Sequence, residues 1–114
     1  HAEVGVPLEF VEMSNVTREM LHKSIEALLK MDSAMAVEVC DLDERVDSLH
    51  RSLYPKIEAQ VKANPAHTEG LLRIMSISRF LERMADHVTN IAEDVLYLLQ
   101  GNIVRHRLGG GKPR

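Results

Sequence analysis

The sequence predicts an all-α fold, an antiparallel up-down-up bundle of three helices. Hydrophobic residues make up 45% of the 114 residues, but aromatic residues only 4%, and tryptophan is absent. A core of aliphatic side chains without large rings suits helix-on-helix packing better than a β-sandwich. Apolar residues also recur at three- and four-residue steps along three long segments. The length is that of a single domain.

The first helix is predicted over residues 8–30, after an N-terminal tail of residues 1–6. Pro7 suits a first helical turn, because proline lacks a backbone donor that this position does not need. An alternative start lies near Ser14 or Asn15, either of which could cap a helix. The apolar stripe consists of Phe10, Met13, Val16 or Thr17, Met20 or Leu21, Ser24, Ala27 or Leu28, and Met31.

The second helix is predicted over residues 33–62, with Asp32 as its N-cap. The break between Met31 and Asp32 carries no Gly or Pro, so one continuous helix through this point is the alternative. Pro55 lies inside the segment, where it removes a backbone donor. We expect it to kink the helix or end it early.

The third helix is predicted over residues 66–100. Pro65 suits its first position with Asn64 as the cap, and Gly101-Asn102 is expected to end it in a left-handed turn. Its stripe consists of Leu71, Ile74 or Met75, Ser78, Leu81, Ala85, Val88, Ile91 or Ala92, Val95, and Leu98 or Leu99. Rods of this length need neighbours that bury their stripes, so the three helices should form one bundle over residues 7–104. Residues 105–114 form a basic, Gly-rich tail that should be flexible.

Charge and composition exclude several functions. The net charge is −3 and both signs are interspersed, which does not favour nucleic-acid binding. The single cysteine, Cys40, excludes an internal disulfide and fits a reducing compartment, although a secreted protein can also lack disulfides. No apolar run approaches the roughly 20 residues that span a bilayer. We therefore expect membrane contact only indirectly, through partners.

Oxygen-bearing side chains form a line on the third helix. Glu82 and Asp86 are one turn apart and leave the same face. Asn90 continues this line, and Glu93 lies close to it. Carboxylate and amide oxygens are the ligands that hard cations prefer, so these four residues are candidate metal ligands.

A second pair, Asp43 and Asp47, repeats the spacing in the middle of the second helix. If the two helices run antiparallel, the pairs can come level and share a cation. Like charges that close repel each other unless a cation neutralises them. The competing interpretation is a solvated acidic face paired with nearby arginines, which spacing alone favours.

Two other functions remain open from the residues. Glu19-x-x-His22 and Asp47-x-x-His50 superficially resemble the ligand pairs of di-metal carboxylate oxidases, although such sites normally use four helices. A metal-free helical interaction module is the second alternative, with the acidic line as a docking face for a basic partner. Both His22 and His50 are expected to be plain surface histidines. No nucleophilic triad, phosphate-cradling Gly loop or zinc-type cluster is present.

The segment 78–104 resembles the closing helix of a PhoU repeat. That family carries an R-x-L-E-R-x-x-D-x-x-x-N-I-x-E-x-V pattern, followed by a Tyr and a Gly. The matching residues are Arg79, Leu81, Glu82, Arg83, Asp86, Asn90, Ile91, Glu93, Val95, Tyr97 and Gly101. Residues 41–53 resemble the middle helix, with Asp43-x-x-x-Asp47 as its acidic motif. The resemblance covers about residues 7–104 and is most specific in the third helix.

The resemblance implies a non-enzymatic, cytoplasmic regulator of phosphate uptake. Such proteins connect a phosphate ABC transporter, through its ATPase, to a sensor histidine kinase, and they restrain phosphate-starvation signalling. Their acidic motifs hold multinuclear clusters, commonly of iron. The implied ligands here are Asp43, Asp47, Glu82 and Asp86, with Asn90 and Glu93 as additions, and the oxygen-only set favours Fe, Mn or Mg over Zn. Family members usually contain two repeats. This chain has room for one, so it is either half of a longer protein or a homo-oligomer, with a dimer expected.

Overall fold

The computed structural model confirms the all-α, three-helix fold. It describes the backbone of residues 5–107 and the side chains of residues 5–101. Helix α1 spans Leu8–Lys30, α2 spans Ser33–Ala63 and α3 spans Thr68–Arg107, with a short 3-10 turn at Pro65–His67 before α3. Each helix packs against both others. The bundle is therefore a closed three-sided rod with a groove between each pair of helices.

The turn between α1 and α2 is made by two residues. Met31 adopts a left-handed conformation with φ 52°, and the capping N–H groups reach the carbonyls of Ala27 and Leu28. Asp32 then caps α2, because its side chain accepts a hydrogen bond from the Met35 N–H at 3.1 Å. The predicted N-cap is confirmed, and the alternative of one continuous helix is wrong. The alternative helix starts at Ser14 or Asn15 lie inside α1.

Neither Pro55 nor Gly101 ends its helix. Helix α2 continues through Pro55 to Ala63. Pro55 is exposed, so water can satisfy the carbonyl one turn earlier that loses its partner. Helix α3 continues through Gly101, where an end was predicted, to Arg107. Glycine permits a left-handed turn but does not require one, and a glycine inside a helix costs only about 1 kcal/mol. The other residues of the predicted basic tail, 108–114, lie outside the described range, as do residues 1–4 of the N-terminal tail.

The turn between α2 and α3 is built at Asn64-Pro65. Asn64 precedes the 3-10 turn, but its side chain makes no capping hydrogen bond. Its carbonyl instead accepts from the His67 N–H at 2.9 Å, and the Thr68 hydroxyl donates to the Pro65 carbonyl at 2.7 Å. The chain thus reverses, and α3 runs antiparallel to α2.

The core is aliphatic and follows the predicted stripes. Met13, Met20, Val46, Leu53 and Ala85 are fully buried. Three polar side chains, Thr17, Ser24 and Ser78, are buried in the same interior. None of the described helices carries an apolar stretch that could span a bilayer.

Candidate metal centre

The groove between α2 and α3 holds a cluster of carboxylates. One oxygen each of Asp43, Asp47 and Asp86 lies within 4.8 Å of the others. Asp43 and Asp47 leave one face of α2 a turn apart, and Asp86 leaves the opposing face of α3. The antiparallel packing of α2 and α3 therefore places side by side two acidic motifs that are far apart in the sequence. Three oxygens at this separation can surround a single cation or a pair of cations.

Glu82 extends the cluster by one turn along α3. Burial raises the pKa of its carboxyl, and so does a hydrogen bond with Asp47. The negative charges of Asp47 and Asp86 act in the same direction, while the His50 ring opposes them. Two carboxyl groups can share a hydrogen bond only when one carries a proton. Burial and the neighbouring Asp47 thus make the protonated form of Glu82 more favourable than it is in a free glutamate.

Asp43 is the carboxylate that is least satisfied by the protein. Burial is the main cause that raises the pKa of Asp43, and the negative charges of Asp47 and Asp86 raise it further. The nearby Thr89 hydroxyl lowers the pKa and offsets these effects only in part. Its Oδ1 atom is buried and has no hydrogen-bond partner among the described residues. An unpartnered buried oxygen beside two like charges is unfavourable unless a cation satisfies it. The donor set therefore fits a divalent metal ion.

His50 lies at the end of the carboxylate line and was misjudged as a surface histidine. Its side chain is only 19% exposed. Nδ1 lies 2.6 Å from the hydroxyl of Ser78, which is fully buried and donates to Met13 Sδ at 3.5 Å. Nε2 lies 3.6 Å from Glu82 Oε1. The signal available in the sequence was the spacing of His50, one turn after Asp47 on the same face of α2.

Asn90 and Glu93 stand further along the same face of α3, and both are exposed. Glu93 lies close enough to Cys40 to raise the pKa of its thiol, although burial raises it more. Cys40 is one turn before Asp43, so Glu93 is one turn beyond the cluster. Neither residue is brought into the group of three oxygens, and their role as ligands stays a prediction. Cys40 itself is half-buried against the core, and its raised pKa describes an unreactive thiol.

The second histidine–carboxylate pair is not part of this site. Glu19 binds Lys23 at 3.4 Å on the α1/α2 side of the bundle, and His22 is exposed. Within residues 5–101, no other histidine–carboxylate pair lies beside Asp47 and His50. The ligand arrangement of a di-metal oxidase is therefore not assembled by the three described helices.

This all-α three-helix module carries paired acidic motifs across two antiparallel helices, and its sequence matches a known protein family. The family model for the PhoU domain matches residues 10–95, and the chain belongs to the PhoU family. No solved structure matches the chain significantly.

Among the relatives is a phosphate-specific transport system accessory protein PhoU homolog of Pseudomonas aeruginosa. It is 30% identical over 103 residues, which are 88% of this chain and 43% of the relative. Homologs of the same name from Aquifex aeolicus and Clostridium acetobutylicum are 32% and 28% identical, over 83% and 84% of this chain and 43% and 44% of their own lengths. The chain thus spans less than half the length of these relatives.

Proposed function

We propose that this chain is a metal-binding regulatory module that acts in phosphate uptake and phosphate-starvation signalling. Its relatives are named as accessory proteins of the phosphate-specific transport system, which supports the biological setting. The observation that carries the metal site is the convergence of Asp43, Asp47 and Asp86 oxygens within 4.8 Å, from two different helices.

The bound metal is a divalent ion or a multinuclear cluster of Fe, Mn or Mg. Oxygen ligands suit these ions, whereas structural zinc sites use thiolate and imidazole ligands. Asp43, Asp47, Glu82 and Asp86 would hold the metal, and Asn90 and Glu93 would need to move toward it. Bound metal supplies positive charge that neutralises the cluster and fixes α2 against α3.

The role is that of a non-enzymatic adaptor between other proteins. A phosphate ABC transporter ATPase and a sensor histidine kinase are the partners we propose, and the chain would act with them in the cytoplasm. Metal binding ties together the two helices whose outer surfaces a partner could contact. A rigid α2/α3 pair would present one defined docking surface.

Metal content under controlled purification tests the proposal. The chain would be purified without chelators or immobilised-metal columns, and its iron, manganese and magnesium measured by elemental analysis. The double variant D47N/E82Q should lose the metal and keep its helical circular dichroism. The matched control is E58Q, which removes an exposed acid on α2 outside the cluster. Equal metal content in both variants would refute the site.

The same variants separate an adaptor with metal from one without it. In cells that lack their own PhoU protein, a phosphate-starvation promoter would report whether a longer protein that carries this module restores repression. Repression that requires Asp47 and Glu82 supports the metal-dependent regulator. Repression by D47N/E82Q equal to wild type would favour the metal-free interaction module.

A further inference from the structure

The two ring nitrogens of His50 lie in different environments. Nδ1 contacts the core, 2.6 Å from the hydroxyl of Ser78, a side chain with no exposed surface. Nε2 lies 3.6 Å from Glu82 Oε1, a separation that is longer than a hydrogen bond. The ring is therefore anchored at one nitrogen, while the other nitrogen faces a carboxylate to which it is not hydrogen-bonded.

The hydrogen bonds of Ser78 determine which nitrogen of His50 carries a proton. A hydroxyl has one proton to donate, and that of Ser78 goes to Met13 Sδ at 3.5 Å. The Ser78 oxygen can then only accept from His50, so Nδ1 carries the proton. In a neutral imidazole this leaves Nε2 with a free lone pair. Histidines that bind metals show the same arrangement, with one nitrogen on the ion and the other donating to a fixed acceptor.

The separation of His50 Nε2 and Glu82 Oε1 suits two ligands of a single ion. Two atoms that bind one ion at about 2.1 Å stand about 3.0–3.4 Å apart in octahedral or tetrahedral geometry. The 3.6 Å in the structure is only about 0.2 Å above this range. Asp47 lies one turn before His50 on α2, and its negative charge acts on Glu82 across the groove. An oxygen ligand from α2 is therefore adjacent to this pair.

Glu82 and His50 lie beside the three clustered aspartates rather than among them. The oxygens that approach within 4.8 Å of one another belong to Asp43, Asp47 and Asp86 alone. We propose that His50, through Nε2, is a nitrogen ligand of the metal centre and holds one of its ions together with Glu82. The proposal rests on the metal-binding function proposed above, and it adds a ligand that is not oxygen.

A nitrogen ligand changes which ions the centre prefers. Imidazole suits first-row transition metals, whereas Mg²⁺ prefers oxygen ligands and retains several of its waters. The ion that His50 holds should therefore be Fe²⁺ or Mn²⁺ rather than Mg²⁺. A histidine that only kept Glu82 in place would give no such preference, because the ion would then meet oxygen atoms alone.

The affinities for two metals separate these two roles of His50. H50Q should lower the Mn²⁺ affinity, measured by titration calorimetry, by at least about tenfold. It should leave the Mg²⁺ affinity nearly unchanged, because glutamine offers an oxygen in place of the nitrogen. H22Q is the matched control, since His22 is exposed on α1, outside the α2/α3 groove. An equal loss of Mn²⁺ and Mg²⁺ affinity in H50Q would show a supporting role only and would overturn the proposal.

Pulsed electron paramagnetic resonance detects the nitrogen ligand itself. The chain would be saturated with Mg²⁺ and given a trace of Mn²⁺, which should replace Mg²⁺ where the nitrogen ligand lies. We expect coupling between Mn²⁺ and a nitrogen nucleus in wild type and in H22Q, and none in H50Q. Circular dichroism would verify that both variants fold.

The outcomes distinguish this proposal from the metal site on which it rests. Bound Mn²⁺ without nitrogen coupling in wild type would overturn the proposal and leave a metal site of oxygen ligands. Equal coupling in H50Q and H22Q would overturn it as well. A wild-type chain that binds neither metal would refute the metal site, and the proposal with it.

Discussion

Asp47 of α2 and Glu82 of α3 face each other across the groove, and Asp47 helps to raise the pKa of the Glu82 carboxyl. A raised pKa means that Glu82 holds its proton more tightly than a free glutamate does, and a metal ion bound at the same position would displace that proton. The chain would therefore release protons when it takes up metal, as ligands with raised pKa values must. This exchange connects the metal site to pH and to the stability of the bundle.

The first prediction concerns stability with and without metal. Without metal, D43N should raise the free energy of unfolding by about 0.5–1 kcal/mol, because it removes a like charge that solvent only partly screens. In excess Mn²⁺, wild type should be more stable than D43N, because metal binding stabilises the folded wild type and the variant has lost a ligand. Thermal unfolding in EDTA and in Mn²⁺ measures both. E58Q should respond to Mn²⁺ as wild type does, and a gain by D43N equal to that of wild type would contradict the assignment of Asp43 as a ligand.

The second prediction concerns pH. The pKa values of Asp43 and Glu82 are raised in the fold above their ordinary values, mainly by burial. The folded state then binds more protons than the unfolded state, so these groups contribute stability below those values. That contribution is lost as the pH rises through the folded pKa values. Unfolding free energies of the metal-free chain should fall over this range.

The variant D43N/E82Q should show a smaller fall, because it lacks both groups. Other carboxylates act in the opposite direction and provide an internal contrast. The pKa of Glu26 is lowered mainly by its hydrogen bond with Lys30, so its contribution is lost as the pH falls. An identical pH dependence in wild type and D43N/E82Q would contradict the raised pKa values.

The third prediction concerns the contact between His50 and Ser78. Their 2.6 Å contact is partly buried, and a hydrogen bond of this kind is worth about 1 kcal/mol. H50A and S78A should each destabilise the chain, and their effects should be less than additive by about that amount. Urea unfolding of the two single variants and the double variant gives the coupling energy. Fully additive effects would show that the two side chains do not interact in solution.

The fourth prediction concerns the first turn. Met31 has a φ of 52°, which favours glycine over residues with a Cβ atom. M31G should therefore be more stable than M31A by about 1 kcal/mol, a comparison that removes the methionine side chain from both variants. Thermal unfolding measures the difference. M31A at least as stable as M31G would indicate that the turn is not left-handed at this residue.

Much of the fold could be predicted from local sequence patterns. Apolar periodicity predicts the core positions of α1 and α3, and Asp32 is recognisable as a cap because capping needs only the next turn. The helix-ending role of Gly101 was overestimated, because a glycine only weakens a helix and packing along its whole length can outweigh that cost. Pro55 does not end α2, which reaches Ala63, one residue beyond the predicted end.

The candidate site was predictable in part. The spacing within each acidic motif is local, but the meeting of Asp43, Asp47 and Asp86 depends on how α2 and α3 align. The contact of His50 with Ser78 could not be predicted, since Ser78 appears in the sequence only as a polar member of an apolar stripe. Contacts between helices depend on register, which periodicity within one helix does not determine.

Anomalous scattering from crystals grown with Mn²⁺ tests the metal site most directly. We predict a peak in the α2/α3 groove about 2.0–2.3 Å from oxygens of Asp43, Asp47 and Asp86, within the range of metal–oxygen bonds. D47N/E82Q crystals should lack it. Wild-type crystals without a peak there, or with manganese held by one helix alone, would contradict a metal ion shared between α2 and α3.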